Sequence, residues 1–591
     1  MQRIEDQAFI SNCKTSALID LHGDMRWMCA PRFDSPACFA SLLGDEENGH
    51  WFIRPAIPYQ SKRKYLQDTF ILETEFITSE GIVKLTDFMP YQDPGVHVFR
   101  RIEGVVGKVP MEIVFKPRFY YGSLIPLIEM NEEGEFTAIS GPDRIHLKSP
   151  LNLTLEKDML YQKFSISKDN QLDFRMTWTP SYEEREVALE LEDVLNETMK
   201  SWQEWIKGNK ISHSSLYPEF CKRSMLTLKA LTYAPTGSLV AAATTSLPEE
   251  PGGVRNWDYR FCWPRDAAMS ISAVAKATGR IDEVSSWREW LQRATAGVPK
   301  QLRTVYGLRG EVISDDTELD WLKGFNQSRP VRIGNSANRQ LQLDIYVSVV
   351  EIFCKSRNLG LPPINNDWEE VKEVLEYLKE IWTDADEGIW EIRGERRHFV
   401  QSKLMVWMAF KLAVNVAKDM GLEAPIEEWE EIMSTIHQEI CEKGFNKERG
   451  CFVQYYGGTE VDANLLLLPL LDFLPITDQR IVGTIKVIED DLLLEEGLLM
   501  RYRPSYELEG LPSSRPKAFL LCSSWLGQCY QLMGRREDAL AVLKKLYSIC
   551  NDVGLLAEQY DTKRQCQLGN FPQAFSHIAL ISLEISLNGK S

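Results

Sequence analysis

Two periodicities divide the chain. From the start to about residue 180, apolar and polar residues alternate in short stretches such as Phe70 to Ile77, Ile82 to Phe88 and Leu172 to Trp178, broken by Gly, Pro, Asn and Asp. A period of two predicts strands with one buried face, and turn residues at this density predict antiparallel connections. The expectation is an antiparallel β-sandwich over residues 1–182 with no long helix in it. Between Glu183 and Lys207 charged residues interleave with Val, Leu and Trp at helical spacing until Gly208, which predicts a helical linker over 183–214. Beyond it the period is 3.6. Helices are predicted at Glu219 to Tyr233, Asn338 to Lys355, Asp367 to Trp382, Gln401 to Met420, Pro425 to Glu442, Arg515 to Met533, Arg536 to Tyr547 and Phe575 to Leu587. About a dozen helices with long intervening loops and no visible repeat argue for a closed double ring over 215–591 rather than a solenoid, with functional loops gathered at one end.

Composition narrows the ligand. A net charge of -18 repels nucleic acid and anionic membrane surfaces, which leaves a neutral ligand as the easier partner. Sixteen Trp and twenty Tyr supply flat faces with a polar edge that suit sugar rings, although core packing uses the same residues. The opening MQRIEDQAFISNCKTSALID has no basic stretch leading into an apolar one, and no window has the length of a membrane span, so a cytoplasmic protein is expected. The twelve Cys include no C-x-x-C pair, and Cys354, Cys522 and Cys529 lie in apolar helical context, as reduced core thiols do. With eight His, no H-E-x-x-H and no glycine-rich phosphate loop, neither a metal nor a nucleotide cofactor is expected.

Four loop-like stretches concentrate groups that bind or react. VRNWDYRFCWPRDAAMS, Val254 to Ser270, places Tyr259 and Trp263 ahead of Arg265 and Asp266 at a helix start. This pair either caps and neutralises itself or holds sugar hydroxyls while Trp257 or Trp263 stacks on the ring. SRPVRIGNSANRQLQLD, Ser328 to Asp344, carries Arg332, Asn335 and Asn338, which orient hydroxyls or tie the loop to its neighbours. In DEGIWEIRGERRHFVQSKLMVW, Asp386 to Trp407, Glu391 follows Trp390; a carboxyl against an indole is partly desolvated and keeps its proton more readily. GLLAEQYDTKRQCQLGNFPQAFSH, Gly554 to His577, offers Glu558, which either holds a water or is an exposed loop carboxylate. Glycoside hydrolysis uses two carboxyls on opposite sides of the scissile bond. Spacing alone does not select Glu391 and Glu558 from 85 acidic residues.

In the order in which they occur, these stretches resemble glycoside hydrolase family 15, the glucoamylase-like enzymes whose bacterial and archaeal branch includes trehalases and glucodextranases. IEDQAFISNCKTSALID and WMCAPRFDSPACFASLLG look like that branch's opening motifs; RNWDYRFCWPRDA, SRPVRIGN, GIWEIRGERRHFVQSKLMVW, GLLAEQYD and GNFPQAFSH look like its barrel loops. The resemblance implies a β-sandwich followed by an (α/α)6 barrel. It also implies inversion at the anomeric carbon, with Glu391 as general acid and Glu558 as general base. It assigns Arg265, Asp266 and Trp263 to the non-reducing glucose, Tyr259 to the attacking water, and Arg501 in LLMRYRP, Arg332 and Trp390 to sugar contacts. Two positions depart from the pattern. Pro264 stands where Leu or Thr is usual, and Ile345-Tyr346-Val347 lacks the Gly that often follows the Tyr. The expected activity is exo-acting release of β-glucose from the non-reducing end of α-glucans or oligosaccharides, with trehalose as the alternative substrate. An inverting disaccharide phosphorylase and a non-catalytic carbohydrate-binding protein are the rival readings.

Overall fold

The computed structural model describes residues 2–131, 134–183, 189–209, 215–364, 366–512 and 514–589. Ahead of residue 181 all long elements are strands, joined antiparallel, as the alternation predicts. The longest strand, Val96–Lys116, belongs to both layers of the sandwich. Its first half pairs with Gly81–Phe88 and Gln171–Pro180, and its second half with His50–Pro55 and Met159–Ser167. The change of layer falls at Gly104 and Gly107. A Cβ at either would come about 2.1 Å from a backbone carbonyl oxygen of the neighbouring strand, and Gly107 has φ +73.

The helix Leu191–Ile206 follows; residues 184–188 and 210–214 of the predicted linker lie outside the described residues. The remainder closes into two concentric rings. Pro264–Thr278, Leu343–Asn358, Val400–Met420, the short Ala463–Leu470 turn, Leu520–Leu532 and Ala574–Asn588 contact one another in a closed cycle. Outside them lie Pro218–Ala230, Ile281–Thr295, Asp367–Ile381, Ile426–Lys443, Gln479–Leu492 and Arg536–Ser548. Sequence follows position. Inner helices such as LLCSSWLGQCYQL are apolar nearly all round, and outer ones such as DWEEVKEVLEYLKEI carry one apolar stripe. The domain is therefore an (α/α)6 barrel behind a β-sandwich.

Pro264 is accommodated by this geometry. It occupies the first turn of its helix, where a backbone N–H has no intrahelical acceptor and a φ near -65° is already helical. The twelve cysteines are all unpaired, and nine of them are buried.

The sandwich braces the barrel loops through polar contacts that the apolar interface surrounds. Trp27 donates its indole N–H to the Ala243 carbonyl at 3.1 Å. Arg260, fully buried, makes a fork to Asp258 at 2.9 and 2.6 Å and reaches across to the Ser35 carbonyl and the Tyr121 hydroxyl, both at 2.9 Å. Asp258 in turn accepts from the Gly334 backbone N–H at 3.2 Å, so one ion pair ties the sandwich to two barrel loops. Replacing Arg260 strands Asp258 as an unpaired charge inside the protein. Arg260→Ala is expected to destabilise the fold by about 3–5 kcal/mol, read as a lower denaturant midpoint, and Arg260→Lys to recover only part of it because an ammonium lacks the planar fork. A midpoint unchanged from wild type in Arg260→Ala would remove this pair from the account of domain docking.

Candidate active site

The connections that lead into the N-terminal ends of the inner helices converge on one cavity of about 750 Å3. Tyr259, Trp263, Arg265, Asp266, Trp390, Glu391, Arg501 and Glu558 all line it, with Glu249, Arg255, Asn335, Arg393, Tyr502 and Glu509. Five carboxylates and four guanidinium groups thus line one cavity. Near balance of charge in a cavity of this kind suits a neutral, hydroxyl-rich ligand better than an ion.

Glu391 stands in the turn after Gly388, with its backbone at φ +56. That conformation is unfavourable for a residue with a side chain and is retained where the surroundings enforce it, commonly at functional sites. Its carboxylate accepts the Trp263 indole N–H at 2.7 Å and an Arg265 N–H at 3.4 Å. This corrects the expectation that Trp390 is the indole against the acid. Trp390 also lines the cavity, but its N–H turns to the Asp462 carboxylate at 2.9 Å. Sequence adjacency misleads here because consecutive side chains in a turn diverge.

Arg265 is held at four points. It donates to Gln342 at 3.2 Å, to the Ile389 carbonyl at 3.1 Å, to Asp266 at 3.2 Å and to Glu391. Asp266 is not a helix cap: the cap position is Trp263, and no side chain serves it. The Asp266 carboxyl instead faces the cavity, where burial pushes its pKa up to about 7 against the pull of Arg265.

Glu558 is buried, and its pKa is pushed up to about 8, first by burial and then by the negative charge of Glu249. Arg501, Gln559 and the Tyr259 hydroxyl oppose that shift. Gln559 donates to the carboxylate at 3.2 Å. Gly569, in the GNF turn, leaves room for the Glu558 carboxylate: a Cβ there would sit 3.1 Å from the Glu558 Cβ and 3.2 Å from its Oε2.

Two expectations fail geometrically. Arg332 is not among the lining residues; its guanidinium donates to the carbonyls of Val254 and Asn256 at 2.8 and 3.3 Å, so it ties loops together. Trp257 lines the cavity, but Arg332 and Arg393 both lie over its ring, each 4.7 Å from the centroid, which leaves its face to cations rather than to sugar. Sequence reasoning passed over Glu249, Arg255 and Glu509. Glu249 and Arg255 both shortly precede the WDYR motif, and that adjacency is the one signal the sequence offers.

A carboxyl whose folded pKa is raised stabilises the fold below its unfolded pKa, and that contribution is lost as pH rises through the folded value. Glu558 follows this sign: the loss begins above the ordinary carboxylate range and is complete once pH passes about 8. Glu558→Gln removes the loss without changing shape. The thermal midpoint of the variant relative to wild type should therefore be higher at pH 9 than at pH 5. A midpoint difference independent of pH would contradict the raised value.

The chain has clear relatives among known proteins. The family described as Glycosyl hydrolases family 15 matches residues 216–584, and that described as Trehalase-like, N-terminal matches residues 1–171. Curated relatives include a trehalase from Thermoplasma volcanium, 35% identical over 98% of this chain and 92% of its own. Another is a trehalase from Mycobacterium tuberculosis, 34% identical over 98% of this chain and 88% of its own. A bacterial glucoamylase solved in complex with acarbose shares the fold, with a TM-score of 0.73 at 13% identity over 99% of this chain and 94% of that one. With the family matched across the whole barrel and the relatives matched almost end to end, the chain belongs to glycosyl hydrolases family 15 and is a glycoside hydrolase.

Proposed function

We propose that the protein is an inverting α,α-trehalase. The observation that carries the hydrolytic half of this reading is the pairing, in one cavity, of Glu391 under the Trp263 N–H and Glu558 beside Tyr259 and Arg501. The substrate half rests on the relatives, which are named trehalases and align over nearly the whole chain, and on the trehalase-like N-terminal match. These favour trehalose over the glucan substrates that the sequence motifs first suggest. The likeness to glucoamylase carries fold alone. The unpaired thiols suit a reducing, cytoplasmic setting.

In this reading Arg265 and Asp266 grip one glucose, and its hydroxyls take over hydrogen bonds that the cavity otherwise makes internally. Glu391 gives its proton to the glycosidic oxygen as the bond to the anomeric carbon breaks. A water adds to the opposite face of that carbon and gives its proton to Glu558. Both glutamates then exchange protons with solvent and return to their starting states. Attack inverts one anomeric centre and leaves the other untouched, so one trehalose gives one β-glucose and one α-glucose.

Proton NMR within the first turnovers should accordingly show the two anomers in equal amounts before mutarotation. Two α anomers would exclude inversion, and glucose 1-phosphate formed only with added phosphate would reveal a phosphorylase. Glu558→Gln should keep its affinity for trehalose and lose about 10²–10⁴-fold in kcat. Glu391→Gln should be far more impaired on trehalose than on α-glucosyl fluoride, whose leaving group needs no proton. Near wild-type turnover of trehalose by Glu558→Gln would refute the base assignment, and release of glucose from maltose but not from trehalose would refute the substrate.

A further inference from the structure

A third glutamate, Glu249, stands in the cavity beside the base. It is buried, and its carboxylate accepts the Trp257 indole N–H at 3.1 Å and an Arg501 N–H at 3.3 Å. Gln559 donates to Glu558 at 3.2 Å and lies near enough to Glu249 to favour its ionised form as well. The Lys517 ammonium donates to its backbone carbonyl at 2.5 Å, and its backbone N–H donates to the Arg255 carbonyl at 3.1 Å. Neutralising Arg501 does not by itself require Glu249, since Glu509 approaches the same guanidinium to 3.9 Å.

We propose that Glu249 is a positioning residue for the base: a fixed negative charge that, with Arg501 and Gln559, orients Glu558 and makes it a stronger acceptor of the proton from the attacking water. The inference rests on the role given to Glu558 above. The charged groups around the pair divide by sign. Arg501, Lys517 and Arg255 face Glu249, while Glu558 meets Glu249, Arg501 and the hydroxyl of Tyr259. Burial opposes ionisation of Glu249, yet Arg501, then Lys517 and Arg255, outweigh it and hold the carboxyl below its usual range. Its charge therefore persists where that of Glu558 titrates. A like charge raises the proton affinity of its neighbour, and a base of higher proton affinity removes a proton from water with a greater driving force. The accompanying cost is that the base protonates at a higher pH.

Charge and shape are separable by experiment. The measurement is kcat/KM against pH on the α-glucoside that the enzyme turns over fastest, for wild type, Glu249→Gln, Gln559→Met and Glu558→Gln. The Glu249→Gln variant should move the acidic limb to lower pH by about one unit or more and lower the plateau. The Gln559→Met variant, which deletes the hydrogen bond that stabilises ionised Glu558, should move the limb to higher pH. A folded Glu249→Gln with activity reduced equally at every pH and an unmoved limb overturns the proposal. Where Glu249→Gln does not fold, Gln559→Met decides, and an unmoved or lowered limb overturns it. Glu558→Gln separates the two readings. Near wild-type turnover there means that Glu558 is not the base, whereas an inactive Glu558→Gln with unmoved limbs in the other variants rejects the role of Glu249 alone.

Discussion

Two guanidinium groups, the buried Arg265 and the partly exposed Arg501, are the charges against which the rest of the cavity is balanced. Asp266, Asp344 and Glu391 surround the first; Glu249, Glu509 and Glu558 surround the second. In a low-dielectric interior a carboxylate without such a partner takes up a proton or destabilises the fold. In the proposed mechanism Glu391 and Glu558 have opposite proton roles, and each stands beside a different arginine.

Those arginines are placed by the ring. Arg265 opens the helix Pro264–Thr278, and Arg501 lies on the connection into Leu520–Leu532, so both stand where inner helices begin. The connections into Pro264–Thr278, Leu343–Asn358, Val400–Met420, Leu520–Leu532 and Ala574–Asn588 all supply residues to the same cavity. The sandwich closes this arrangement from the side. Arg260 holds Asp258 against Ser35 and Tyr121, one residue from Tyr259 and three from Trp263. A brace on that segment fixes the indole that carries Glu391.

Fold class was legible in the sequence because alternation and helical periodicity are local. Predicted helices such as Asp367 to Trp382 and Arg536 to Tyr547 differ from the observed Asp367–Ile381 and Arg536–Ser548 by a residue. Arg515 to Met533 overran, since the observed helix begins only at Leu520. The site was legible only through its resemblance to a family. Periodicity says nothing of which carboxyls meet when Glu249, Glu391, Arg501 and Glu558 come from four separate loops. Local inference was also where the errors arose. Trp390 adjoins Glu391 in sequence, but Trp263 meets it in space, and Arg332 sits in a sugar-compatible motif yet secures backbone. Glu249 escaped notice because a glutamate between two prolines reads as an exposed turn.

The cavity is also where the chain departs from what would make it most stable. Glu391 holds a positive φ, Asp344 is buried with its nearest cation, Arg265, 3.7 Å away, and Glu558 is buried beside a like charge. Each feature is unfavourable alone, of the order of about 1–3 kcal/mol for a backbone in that region. They persist because the double ring and the sandwich leave the loops no roomier alternative. In the proposed mechanism the same features are what the chemistry draws on: a turn that holds Glu391 at the cavity and a Glu558 carboxyl whose proton affinity is raised. On the proposed reading, only those hydrogen bonds from Arg265 and Asp266 that strengthen as the glycosidic bond breaks convert binding energy into rate.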